Sequence, residues 1–215
     1  MNHQLTNILT FAVLGFMGVR LITGLRSSRS RQGRELVRVV VRGVRWRHVW
    51  PVPVVLGVVL VVATFVMGLP GLGWGWWSAL GGQGNPVFGS NDATSGTVWQ
   101  WIIPLVFIAL LAPALPLFAY AEERMFRMGA EHWSKRRRAL KVVQFGLVHA
   151  IIGIPIGAAL SLSVGGAYFM TVYLRAFGRT GSQRESTLES TRAHTVYNAI
   201  IVVLVVLVIS LDALH

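Results

Sequence analysis

The chain contains no cysteine. That excludes disulfides, thiolate metal sites and a cysteine nucleophile. Charge is scarce as well: 13% of the 215 residues are charged, with 8 acidic against 20 Lys and Arg. A soluble domain carries about 25% charge. The strict alternation of apolar and polar residues that barrel strands would show is missing too. No basic n-region precedes the first apolar stretch, so the N-terminus reads as a retained membrane helix rather than a signal peptide. There are no convincing internal repeats.

What the chain has instead is apolar sequence, 53% of all residues. It is clumped into runs such as 51–70 and 196–211, near or at the length that crosses about 30 Å of hydrocarbon. In that solvent every backbone N–H and C=O must bond within its own segment, so helix is the default. The expected fold is all-α: a polytopic transmembrane helical bundle of about six membrane segments plus an amphipathic interfacial helix.

The segments lie at 7–25, 51–70 and from Thr97 to Tyr120, then two within 142–174, and one from Ala193 to Leu211. The stretch 142–174 would be near 50 Å as one helix, and Gly153, Pro155 and Gly157 offer a break in its middle. Each half is short for a full crossing, which suits a tilted, re-entrant or protein-shielded segment.

Basic residues orient the segments. Arg26 to Arg47 load the first loop, Arg124 to Lys141 the third, and Arg175 to Arg192 the fifth. The second loop has no Lys or Arg. The positive-inside rule then puts loops one, three and five in the cytoplasm, with loop two and both termini outside. Arg20 sits near the cytoplasmic end of the first segment and can snorkel. A formal net charge of +12 would suggest nucleic acid in a soluble protein; this placement points to lipid and to no nucleic acid. The expected location is a bacterial plasma membrane.

Within loop one, Arg31, Arg34, Arg38, Arg42 and Arg45 recur on one helical face, with Val37, Val40, Val41 and Val44 on the other. That pattern fits an interfacial helix whose basic face meets anionic lipid headgroups. Trp74, Trp76 and Trp77 in loop two favour the membrane interface. Lipid anchoring is the expected role for both segments; a partner-binding surface is the other reading.

Ionisable groups in or beside a span are costly and mark function. Glu122 and Glu123 end the third segment, His149 lies in the fourth, and His194 and Asn198 stand one turn apart at the start of the sixth. The topology brings them to one depth, since His149 lies only about 12 Å along its helix from Lys141. Each also has a plain structural reading. Glu123 and Arg127 are spaced for a helix salt bridge, His149 could be a satisfied core histidine, and Asn198 could bond a neighbouring helix.

Three motifs run through these residues. Ala121–Gly129 reads AEERMFRMG, containing EExxxR; Gln144–Ala150 reads QFGLVHA, containing FxxxH from Phe145; His194–Asn198 reads HTVYN, containing HxxxN. In this order they resemble the CPBP intramembrane protease family, which includes CAAX prenyl endopeptidases and bacteriocin-processing or self-immunity proteins. The resemblance covers roughly 98–212, and GAYFMTVYLRAFGR between the second and third motifs is similar to the family's helix and its basic exit. It divides the chain into an N-terminal membrane region, 1–97, and a CPBP-like core, 98–215.

The resemblance implies an endopeptidase in which Glu122 activates water, His149 helps hold it, and His194 and Asn198 face the oxyanion. Glu123, Arg127 and Phe145 would support them. Burial suits a carboxylate to base catalysis, and donors aimed at a developing oxyanion stabilise it strongly where water is scarce. Two histidines and a glutamate are also a zinc-ligand set, so a divalent metal such as zinc stays open; the expectation is a metal-free, glutamate-activated water and no cofactor. The substrate would be a membrane-embedded or lipid-anchored protein.

The chain departs from the family in Arg124, where an apolar residue is more usual, in a long polar segment Gly181–Thr191, and in its shorter length. A different function class therefore stands beside the enzyme: a non-catalytic CPBP-fold subunit or assembly factor of a larger membrane complex.

Overall fold

The structure is a computed structural model that describes residues 3–80 and 96–212. No strand occurs among the described residues. Helices α1 (His3–Arg29) and α2 (Arg31–Arg42) lead into a single turn, α3 (Trp46–Val49), and then α4 (Pro51–Met67). After the short α5 (Trp76–Ala79) come α6 (Trp99–Leu111), α7 (Leu115–Phe126) and α8 (Lys135–Leu147). The chain closes with α9 (Ile156–Ser161), α10 (Ser163–Thr180) and α11 (Gln183–Asp212). The part of loop two at 81–95 lies outside the described residues.

Four stretches are long and apolar enough to cross a membrane: Trp46–Met67, Trp99–His132, Ile156–Thr180 and Gln183–Leu211. The protein is thus an all-helical membrane protein. Proline punctuates the second of them. Pro113 and Pro116 cannot donate to the preceding turn, and Ala112–Ala114 tightens into a 3-10 turn between α6 and α7.

The middle break in 142–174 is present. Helix α8 passes into a 3-10 stretch, Val148–Ile152, and ends at Gly153, whose φ of +92° only glycine adopts without strain. The chain turns there and α9 begins. The tip of this hairpin is bonded to loop two: Ile156 N donates to Trp74 O at 2.9 Å and Gly157 N to Leu72 O at 2.7 Å. Trp76 Nε1 donates to Ile151 O at 3.1 Å, and Trp77 is buried. Of the three tryptophans expected at the interface, only Trp74 is exposed. The other two are taken up in closing the hairpin.

The polar segment Gly181–Thr191 is not a loop. Gly181, at φ +64°, ends α10, and α11 starts at Gln183, about three turns ahead of the expected Ala193. Its hydroxyls bond back to their own helix: Ser186 Oγ donates to Ser182 O, Thr187 Oγ1 to Gln183 O and Thr191 Oγ1 to Thr187 O. That bonding is what lets so polar a stretch be buried as helix. The far half of α11 is different, with Val203, Leu204, Leu207, Val208 and Leu211 exposed.

Helix α10 packs most extensively on α11 and α8, α11 on α7, and α4 on α9. One cluster joins them: Val52, Phe126, Phe145, Phe169, Ala193 and Tyr197. Only 11% of the apolar window of Trp46–Met67 is buried, against 44% in Ile156–Thr180, so α9–α10 is central and α4 peripheral. Helix α2 keeps Arg31, Arg34, Arg38 and Arg42 exposed and buries Val40, but it ends at Arg42, so Arg45, expected on the same helical face, lies beyond it as the extended N-cap of α3. Val41, expected with Val40 on the apolar side, is 54% exposed.

Candidate active site

Helix α7 presents Glu122 and Glu123 in consecutive positions, so their side chains leave in different directions. Glu123 points inward and is fully buried, while the Glu122 side chain is 31% exposed. The buried carboxylate is held from three sides. Arg127 Nη1, one turn on, donates to Oε1 at 2.8 Å. His194 Nδ1 meets the same oxygen at 2.8 Å, and Ser190 Oγ donates to Oε2. This is the Glu123–Arg127 pair read from the spacing, extended by two residues of α11.

Arg127 is itself enclosed. Its guanidinium carbon lies 4.2 Å from the centroid of Phe145 and 5.3 Å from that of Phe169, and Nη2 approaches Gly166 O at 3.4 Å. Phe145 thus has a concrete role as a face for the buried cation. The same ring meets both histidines edge-on, with centroids 5.3 Å from His149 and 5.5 Å from His194. Phe169 stacks on His194 at 4.3 Å.

Hydrogen bonding fixes which nitrogens remain for chemistry. His149 sits on the 3-10 turn after α8, and its Nδ1 is 2.8 Å from Phe145 O. A carbonyl only accepts, so Nδ1 carries the proton and Nε2 keeps its lone pair in the neutral ring. His194 Nδ1 likewise donates to Glu123. Its Nε2 faces Glu122 Oε2 at 3.7 Å. With Nδ1–H committed, Nε2 can donate only in the imidazolium form. Glu122 Oε2 is buried and has no hydrogen-bond partner.

The structure therefore brings Glu122, Glu123, Arg127, Phe145 and His194 together, with His149 against the same Phe145 ring. Asn198 lies one turn beyond His194 on α11, half-buried, and its side chain makes no hydrogen bond among the described residues. Among the described residues, no group of three His, Cys, Asp or Glu converges as a metal site. The residues do not fit a zinc centre, and no step below passes through one.

Two partners were missed by the motifs. Ser190 precedes His194 by four residues, and Asn198 follows it by four, so SxxxHxxxN lies on one face of α11. That spacing was the available signal. Phe169 carried none, because an aromatic residue in an apolar helix looks the same whether it faces lipid or a histidine. Compared with family models, with curated proteins and with solved structures, the chain matches none.

Proposed function

We propose that this chain is an intramembrane endopeptidase that hydrolyses a peptide bond with a water activated by Glu122. One observation carries the reading: a buried, unpartnered Glu122 oxygen 3.7 Å from a histidine nitrogen whose ring is oriented by a second, fully engaged glutamate. In this reading Glu122 takes the proton from water. The His149 Nε2 lone pair accepts the water's other hydrogen and orients it. The hydroxide adds to the scissile carbonyl, and the proton held by Glu122 passes to the departing amine. His194, as imidazolium, and the Asn198 amide donate to the oxyanion. Glu123 and Arg127 do no chemistry; they hold His194 in register.

The membrane arrangement proposed with it has six segments: α1, α4, α6–α7, α8 with its 3-10 extension, α9–α10, and α11. Loops one, three and five are cytoplasmic, and loop two and both termini are outside a bacterial plasma membrane. The motif residues and CPBP resemblance support this reading over a non-catalytic subunit. The substrate class is a membrane-embedded or lipid-anchored protein, or a segment of a larger membrane complex.

The test is Glu122→Gln beside wild type, in membranes, with cleavage of candidate substrates followed by mass spectrometry. Gln keeps size and hydrogen bonding but cannot take the proton, so cleavage should fall by about 10²–10⁴-fold with insertion and folding intact. A Glu122→Gln protein that cleaves or complements as well as wild type rejects the reading and leaves the subunit role.

A further inference from the structure

A second polar cluster lies outside the candidate active site, where α3, α10 and α11 meet. Its centre is Glu189 of α11, 6% exposed. Arg47 Nε donates to Oε1 at 2.8 Å, and its Nη2 lies 2.6 Å from the same oxygen. Arg192 Nη1 donates to Oε2 at 2.9 Å, and Arg179 Nη2 stands 3.9 Å from Oε1. His48 Nε2 is 3.0 Å from Oε1.

His48 adds no charge. Its Nδ1 accepts the backbone N–H of Arg45 at 2.9 Å, so its one proton sits on Nε2 and is given to Glu189. The cluster is then three guanidinium groups around one carboxylate. Like charges crowded this closely repel unless a further anion is present. The cations are also held ready. The Arg192 guanidinium packs against Gly43, where a Cβ would fall 2.5 Å from its Cζ, and its bond to Glu189 orients it. The Arg179 side chain makes no hydrogen bond among the described residues and is 58% exposed, and Arg47 is 45% exposed. Arg179 keeps the donor fork that matches phosphate oxygens, and Arg47 keeps Nη1, its Nε and Nη2 being spent on Glu189.

We infer that Arg47, Arg179 and Arg192 form a binding site for a phosphate-bearing anion, with Glu189 setting the spacing of the three cations. This site is separate from the exposed arginine face of α2 and does not depend on the peptidase reading. Its position at the ends of α10 and α11, beside the basic loops, makes a phospholipid headgroup or a free phosphate the two sources of that chemistry.

The experiment uses the full chain in neutral detergent, with melting followed by tryptophan fluorescence. It is titrated in parallel with dihexanoyl phosphatidic acid, dihexanoyl phosphatidylcholine and inorganic phosphate. Phosphatidic acid should raise the melting temperature saturably, by about 5 °C or more at saturation. Arg179→Gln, which removes an exposed group with no side-chain hydrogen bond among the described residues, should weaken binding at least about tenfold. Lys135→Gln/Arg136→Gln at the start of α8, exposed and outside the cluster, should leave the titration unchanged. A full response to inorganic phosphate identifies free phosphate as the ligand; a response to phosphatidic acid alone identifies the headgroup. The site is overturned if no anion shifts the melt, if phosphatidylcholine matches phosphatidic acid, or if the Arg179→Gln titration overlays wild type.

Discussion

At the scale of single residues, the unusual feature is a charged pair sealed inside a membrane bundle. Arg127 and Glu123 are both fully buried. Burying two charges is costly, and such a pair holds only when geometry and further hydrogen bonds are good. Here Ser190, His194 and the phenyl faces supply them. Glu123→Gln leaves Arg127 without its anion and should cost about 3–5 kcal/mol, seen as a large drop in melting temperature in detergent. Its neighbour Glu122→Gln should melt like wild type, so the two adjacent glutamates separate stability from chemistry. Half of this was readable beforehand. The four-residue spacing of Glu123 and Arg127 gave the pair, whereas Ser190 stood in a stretch whose polarity suggested a turn. Nothing in the sequence distinguished Phe169 from a lipid-facing residue.

At the scale of elements, the sequence displayed the helices better than their ends. The break was legible because Gly153, Pro155 and Gly157 punctuate the middle of an apolar run too long for one span. The start of α11 was not, because Ser- and Thr-rich sequence suits a turn or a back-bonded helix, and only burial decides. Close approach of α8 to α9 and α10 depends on small residues. A Cβ at Gly146 would fall 2.5 Å from Ala159 O, and one at Gly166 would fall 2.9 Å from Phe145 Cδ1. Gly146→Ala should therefore destabilise by about 1–3 kcal/mol. Gly57→Ala, where a Cβ meets nothing within 4 Å, should not lower stability. Thermal melts of the two variants side by side check this, and equal melts would refute the packing argument.

At the scale of the whole molecule, exposed tryptophans lie at the ends of the long apolar helices. Trp46 and Trp50 flank the start of α4, and Trp74 and Trp99 lie past its far end and at the start of α6. Such rings favour membrane interfaces. Cysteines introduced at Ser134 and at Ser90, the latter outside the described residues, should label from opposite sides of the membrane; labelling from one side would sink the proposed arrangement. Composition alone disclosed the membrane class, because charge was scarce and apolar residues were clumped. It could not disclose the length of α8. That helix opens with Lys135, Arg136, Arg137 and Arg138, yet with its 3-10 extension it is about 30 Å long. The division of α11 into a polar, buried half and an apolar, exposed half carries a consequence for biosynthesis. The ribosome makes Glu123 and Arg127 well before Ser190 and His194. Until α11 is translated, the earlier helices hold an ion pair that lacks two of its partners. The apolar half of α11 can enter lipid by itself, but its polar half must find the assembled bundle. Assembly of the centre is thereby deferred to the final stage of synthesis, and a chain halted before α11 has no route to a finished centre.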